Sequence, residues 1–343
     1  MAYINFKTSE YHKCSAWTGN SAVNTIVNNV DTDQVWIKRT DAGGNNQIFD
    51  KVRGVYKYLV SNGTHLENNS YTNNLTAFNS NGFTLGADSS DDINDSGGRF
   101  VSRAWKMGTT SGLSGGTITP SSYSFSTVSK QGIYKYSGNG SAGATIPHGL
   151  GAVPSCIIIK KLNATSSWMV YHQAEGPTKV GYLNDTVAFG SGTNVWNSVT
   201  PTTSLITLGA DGDCNASGST YIMYVYCNVK GYFRAGTYTG NGNANGGKIF
   251  TGFRPSFFFL KGRAISSGWF GFTDTDLGYN TANKANGVNY ADASGSANAN
   301  IFSNGFKIIT TNGSYNTSEA KYLYMAWGSQ PIVGSDGTVG VAN

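Results

Sequence analysis

The sequence predicts an all-β chain of three tandem antiparallel β-sandwich repeats. Three observations carry the prediction. First, the 343 residues include 45 Gly, only 13% are charged and 13% are aromatic. Gly, Asn, Ser, Thr and aromatic residues suit turns and strands, and Glu occurs only at Glu10, Glu67, Glu175 and Glu319. Second, short alternating runs of Val, Ile, Phe and Tyr are broken by Asn-Gly, Gly-Gly and Asp-Gly pairs. No stretch sustains a helical period over three turns. Third, one set of landmarks recurs three times in the same order.

Each repeat opens on the same motif, at Trp17-Thr18-Gly19-Asn20, Tyr136-Ser137-Gly138-Asn139 and Tyr238-Thr239-Gly240-Asn241. An apolar run ending in lysine follows, at Val35–Lys38, Ile157–Lys160 and Phe258–Lys261, with the lysine 21, 24 and 23 residues after the aromatic. Each repeat closes on a strand, Phe100–Trp105, Tyr221–Tyr226 or Tyr322–Trp327, whose last aromatic lies 67, 66 and 66 residues beyond the lysine. Gly82-Phe83 matches Gly305-Phe306, and Trp168 matches Trp269. A two-sheet sandwich is the simplest way for such strands to bury one face each.

The repeats are placed at 14–106, 131–232 and 233–327, between an N-terminal arm at 1–13 and a C-terminal tail at 328–343. The Gly/Ser/Thr-rich stretch 107–130 reads as a linker or an extra edge hairpin. The gap from closing aromatic to next motif is 31 residues after repeat one and 12 after repeat two. Repeats two and three are therefore expected to be tightly joined, with repeat one freer.

Net charge is +5 from 24 basic and 19 acidic residues, with no Lys/Arg cluster, which argues against nucleic-acid binding. Apolar runs such as Phe257–Leu260 fall far short of the ~20 residues of a membrane span. The start, Met1–Lys7, lacks the basic and apolar regions of a secretory signal, so synthesis in a reducing cytosol is expected. Cys14, Cys156, Cys214 and Cys227 have no metal-ligand spacing. Cys156 and Cys227 sit in apolar runs and read as small hydrophobes; a disulfide is left open but not required.

No chemistry stands out. His12, His65, His148 and His172 form no metal pair and flank no nucleophile. His148 reads as a turn residue and His172 as a half-exposed packing residue. Twelve residues after the repeat lysines stand Asp50, His172 and Thr273; fifteen after the first two stand Arg53 and Glu175, and fifteen after the third Asp276. The polar groups change type while the framework persists, which points to folding, and no catalytic, cofactor or metal residue is assigned. The segment Asp88–Asp95 holds four Asp and one Asn, a density that could bind Ca²⁺. A solvated loop is the preferred reading, since Asp and Asn favour turns. Lys38, Lys160 and Lys261 could contact anions; the preferred reading is a strand end with the stem packed and the ammonium in water. Among aromatics outside the strands, Trp196 and Tyr279 are the candidates for surface or glycan contact.

The order of Tyr136–Asn139, His148-Gly149-Leu150-Gly151-Ala152-Val153-Pro154, Ile157–Lys160 and Trp168-Met169-Val170-Tyr171-His172 resembles a repeat common in virion proteins of marine, cyanophage-type bacteriophages. Repeat one adds Phe49–Gly54, Tyr58–Asn62 and Gly82–Gly86; repeat three adds Gly252–Pro255 and departs at Gly278-Tyr279-Asn280. The resemblance runs from Trp17 to Trp327 and implies lectin- or jelly-roll-like β-sandwiches, no cofactor and no established catalytic residue. The function it implies is that of a virion structural protein. A tail fibre or tail-associated appendage leads, serving particle assembly and host-surface attachment. A head-decorating or capsid-fibre protein, a carbohydrate-binding module and a depolymerase are the alternatives. Such a protein is expected in the virion as a homo-oligomer, touching other virion proteins and a host-surface glycan or receptor.

Overall fold

The computed structural model describes residues 4–87, 93–273, 283–284, 286–289, 292 and 297–331. The chain is nearly all-β, with 44% strand and 5% helix. Repeat one supplies β1 (His12–Thr18), β2 (Asn24–Val27), β3 (Gln34–Arg39), β4 (Gln47–Asp50), β5 (Leu59–Val60), β6 (Leu75–Asn79), β7 (Gly82–Leu85) and β8 (Arg99–Trp105). Next come β9 (Ser122–Ser126), β10 (Gln131–Ser137), β11 (Ala144–Pro147), β12 (Pro154–Lys161), β13 (Met169–His172), β14 (Lys179–Tyr182) and β15 (Gly190–Ser191). Repeat two ends with α1 (Thr193–Trp196), β16 (Leu205–Leu208), α2 (Gly212–Asn215) and β17 (Thr220–Cys227). Repeat three supplies β18 (Phe233–Thr239), β19 (Lys248–Phe250), β20 (Phe253–Gly262), β21 (Trp269–Thr273), β22 (Asn283–Lys284) and β23 (Asn286–Gly287). It closes with β24 (Ala297–Phe302), β25 (Gly305–Ile308), α3 (Gly313–Asn316) and β26 (Lys321–Pro331). Among the described residues no helix is long and apolar enough to cross a membrane.

The three repeats share one strand order in the centre of the inner sheet and differ in the strands added at its edges and in the outer sheet. Their inner sheets run β1-β8-β3-β4-β5, β9-β10-β17-β12-β13-β14-β15 and β18-β26-β20-β21-β23, and their outer sheets β2-β7-β6, β11-β16 and β19-β25-β24-β22. Each repeat is thus an antiparallel sandwich with its own apolar filling. Val35, Ile37 and Phe83 fill the first, Ile157, Ile159 and Ile206 the second, and Phe258, Leu260 and Phe306 the third.

The central strands of the inner sheets are buried on both faces. Side chains alternate along a strand, so Ile157 and Ile159 enter the sandwich of repeat two while Cys156 and Ile158 point the other way. That second face packs in one core shared by all three repeats, with Trp36, Ile158 and Phe259 at matching positions. The closing aromatics Trp105, Tyr226 and Trp327 meet there, with ring centroids 5.1 to 6.5 Å apart. Between these two layers lies a space of about 10 Å³, lined by members of both, roughly the room for one water. The repeats therefore surround a pseudo-threefold axis.

This corrects the expectation that repeat one is freer, because its Trp36 and Trp105 lie in the shared core. The segment 107–130 is no free tether: it carries β9, which pairs with β10, so the edge-strand reading is the one realised. The arm docks on its own chain. Ile4 joins the shared core, and the ring of Phe6 packs edge-on against Tyr11 and Tyr232. The tail begins inside β26, which pairs with β20 as far as Pro331.

The opening motif is a clip. In each repeat the Asn side chain ahead of the closing strand (Asn94, Asn215 or Asn316) accepts the backbone N–H of the motif Asn, at 3.4, 3.0 and 2.9 Å. Its amide donates in turn to carbonyls on both sides, for Asn215 those of Ser141 and Gly209. The motif glycine is needed for close approach: a Cβ at Gly138 would lie 2.4 Å from the Ala216 carbonyl oxygen.

Candidate functional site

Several of the residues singled out by register lie at the joints between repeats. Lys38, Lys160 and Lys261 are buried, not washed by solvent at a strand end as the preferred reading held. Each ammonium donates to a carbonyl six residues on, that of Gly44, Ser166 or Ser267. Lys160 also donates to the Thr64 carbonyl of repeat one at 3.2 Å, and Lys261 to the Thr186 carbonyl of repeat two at 2.9 Å. Burial lowers both amines to about 8. Trp168 and Trp269 reinforce the same joints, their indole N–H donating to Val60 and Tyr182.

The variable polar positions wire each joint differently. Between repeats one and two, Arg53 Nε pairs with Asp50 Oδ2 at 2.5 Å in full burial, and the Tyr224 hydroxyl donates to the same oxygen at 2.8 Å. Burial works against the Arg53 charge, but Asp50, Tyr224 and Glu67 outweigh it and the net shift is upward. Between repeats two and three, His172 Nε2 donates to the Tyr324 carbonyl at 3.3 Å and Glu175 pairs with Arg263. His172 is fully buried, not half-exposed as expected. Repeats three and one meet where the Ser61 hydroxyl donates to the Val288 carbonyl at 2.7 Å and the Arg103 guanidinium lies 4.6 Å from the Phe257 ring centre. Thr273 is buried nearby in sequence register, and Asp276 lies outside the described residues.

Other assignments change as well. Trp196 is no surface residue: it is buried, its N–H donates to the Lys179 carbonyl, and its ring packs edge-on against Tyr171. The outer sheet of repeat two has only β11 and β16, and α1 carries Trp196 into the sandwich core beside Ile206. Tyr279 lies outside the described residues, as do residues 88–92 of the acidic segment. Of the rest of that segment, Asn94 is the clip residue and Asp95 pairs with Arg39 at 3.0 Å. No cluster of three metal-ligating side chains exists among the described residues. His148 is buried at the end of β11, its ring bonded to the Leu150 N–H and the Thr202 carbonyl. The four cysteines are buried thiols, none of them in a disulfide.

From sequence alone His12 has no assigned role, because it lies outside the repeat landmarks. It is fully buried, stacked on Trp105 at 4.9 Å, with Nδ1 donating to the Ala104 carbonyl at 3.0 Å. Burial lowers His12 to about 3 and His172 to about 4, with Arg103 and Arg263 adding to the shifts. Both stay neutral in the fold while the unfolded chain takes up their protons below about 6.5. Stability from this source is therefore complete above pH 6.5 and falls as pH drops towards 4, by up to about 1.4 kcal/mol per pH unit for each histidine. Asp33 and Glu175, raised by burial, act in the opposite sense over part of this range. Urea midpoints are expected to fall steeply between pH 6.5 and 4.5, and less steeply in His172→Gln; parallel curves would contradict the assignment.

One surface groove is built from residues of repeat one. Asn45, Tyr58, His65, Leu66, Asn68 and Asn69 line an open groove of about 470 Å³ beside the joint with repeat two. Tyr71 stands 59% exposed at its side, its ring 6.4 Å from that of Tyr58. Aromatic faces with side-chain amides can stack on and hydrogen-bond a polar ligand, and the Glu67 carboxylate, which also lines the groove, disfavours an anionic one.

One family model spans residues 7–331, all three repeats together; its description is a domain of unknown function, DUF7483. The chain belongs to the DUF7483 family. No curated protein and no solved structure matches it. That a single DUF7483 unit takes in all three repeats agrees with a core that all three share.

Proposed function

We propose that this DUF7483 chain is a bacteriophage virion structural protein, a non-enzymatic part of a tail fibre or tail-associated appendage. The observation that carries the reading is where the repeat residues go. The segments that resemble the marine-phage repeat form clips, joints and core: Asn139 in a clip, Lys160 and Trp168 in a joint, Ile157 and Ile159 in a sandwich. The buried titratable groups Asp50, Arg53, His172 and Glu175 hold repeat to repeat. Such a chain acts through shape and surface. A head-decorating or capsid-fibre protein is the nearest alternative of the same class. Gold-labelled antibody against the chain is expected to mark the tail of the intact particle. Label on the head would favour the alternative, and unlabelled particles would contradict the proposal.

The groove of repeat one favours a second reading, a carbohydrate-binding module acting on a host-surface glycan. Binding on a glycan array that is lost in Tyr71→Ala would support it, and cleavage of a bound glycan would contradict the non-enzymatic assignment.

A further inference from the structure

The outer-sheet edge is treated differently in the three repeats. In repeat two the segment ahead of β9 turns back over β11. The Thr117 and Ile118 N–H groups both donate to the Thr145 carbonyl at 2.9 Å, and the Thr145 N–H donates to Thr117 Oγ1 at 2.8 Å. Ile118 is thereby buried in the sandwich core. Gly116-Thr117-Ile118 is a clip that satisfies an edge residue and inserts one aliphatic side chain.

The matching edges are β2 and β19. Ile26, Ile146 and Ile249 pair with Phe83, Ile206 and Phe306, so Thr25, Thr145 and Lys248 stand at one register position. The turn bonds that follow agree, Asn28 to Asn81, His148 to Ser204 and Thr251 to Asn304. Because ladder bonds alternate in an antiparallel pair, the backbone N–H and C=O of Thr25 and Lys248 point away from the sheet as those of Thr145 do. Two positions on, Pro147 is buried under the clip, whereas Val27 and Phe250 are each 58% exposed. An exposed Phe beside an open strand edge is the arrangement proteins usually cover.

The sequence holds one other Gly-Thr-aliphatic triplet, Gly337-Thr338-Val339, outside the described residues. Its distance fits β19. Pro331 pairs with Phe253, five residues after Lys248, so the two points lie within roughly 22 Å at about 3.4 Å per residue plus one strand spacing. The seven residues from Ile332 to Thr338 span about 23 Å when extended. Gly116-Thr117-Ile118 is already seated on β11 and is not free to serve another edge.

We propose that the β19 edge is a docking site for the chain's own Gly337-Thr338-Val339, with Thr338 clipping Lys248, Gly337 lying over Phe250 as Gly116 lies over Pro147, and Val339 entering the sandwich as Ile118 does. Nothing in this rests on the virion reading. Amide hydrogen exchange on the full chain tests it with two built-in references: Thr145, clipped in the structure, and Thr25, at the same register on β2. The Lys248 amide is expected to exchange slowly, as Thr145 does, and to speed up by about tenfold or more in Thr338→Ala and Val339→Asp. Thr145 and Thr25 should not change in either variant. Exchange of Lys248 as fast as Thr25 in the unaltered chain would overturn the proposal, as would protection indifferent to both substitutions. Protection that rises with protein concentration, together with a dimer in sedimentation, would overturn the same-chain assignment and place the segment on a second copy.

Discussion

Trp327→Ala is expected to cost about 3–5 kcal/mol of stability, the range for emptying a large aromatic site in a core. Trp327 is 1% exposed and touches rings from every repeat: Trp105 at 5.6 Å, Tyr226 at 5.1 Å, Phe233 at 4.8 Å, and Phe257 and Phe259 at 5.6 Å. The distribution of the loss matters more than its size. If the repeats were independent beads, only repeat three would weaken. With the rings meeting on one axis, amides of β3, β12 and β20 should lose exchange protection together. Trp17→Ala should cost less, since Trp17 sits partly exposed at the edge of one sandwich.

Asp50→Ala should cost a similar amount, about 3–5 kcal/mol, because it leaves the Arg53 guanidinium charged inside the joint. Glu67 at 3.4 Å and the Ile48 carbonyl at 2.8 Å remain as partners but do not replace the 2.5 Å pair. Tyr224 would also lose the acceptor of its hydroxyl. Removing both charges is gentler than removing one, so the Asp50→Ala, Arg53→Met double variant is expected to regain much of the loss. Urea unfolding of the single and double variants checks this. A double variant weaker than Asp50→Ala would show that the pair itself, and not the stranded charge, sets the cost.

Much of this fold was legible in the sequence, because the landmarks are places where backbone geometry admits few residues. Gly138 and Asn139 announce a clip that only Gly can approach and only a bare N–H can close. The convergence of the repeats was not read, although its signal was present. Ile157-Ile158-Ile159 and Phe257-Phe258-Phe259-Leu260 do not alternate, and a strand apolar on both faces needs cover on both. One sandwich supplies only one cover; the shared core supplies the other. The recurring lysine misled for a related reason. A Lys after an apolar run usually ends a strand in water, but here it meets carbonyls of the neighbouring repeat, which no single repeat contains.

The candidate groups were harder to place. Asp50, Arg53, His172 and Glu175 were visible as positions that break the repeat, and the joints explain why: three joints around a pseudo-threefold axis need not be wired alike. Trp196 misled because its segment lacks strand periodicity, yet its one-turn helix helps fill a two-stranded outer sheet. The groove at Tyr58 and Asn68 draws on the stretch 65–69, which carries none of the repeat landmarks, so register comparison could not reveal it.

The central claim is that three sandwiches fold as one body around Trp105, Tyr226 and Trp327. Scanning calorimetry of the full chain tests it most directly. One transition whose calorimetric enthalpy equals its van't Hoff enthalpy is the predicted result. Two or three separable transitions, each with the enthalpy of a single sandwich, would contradict it.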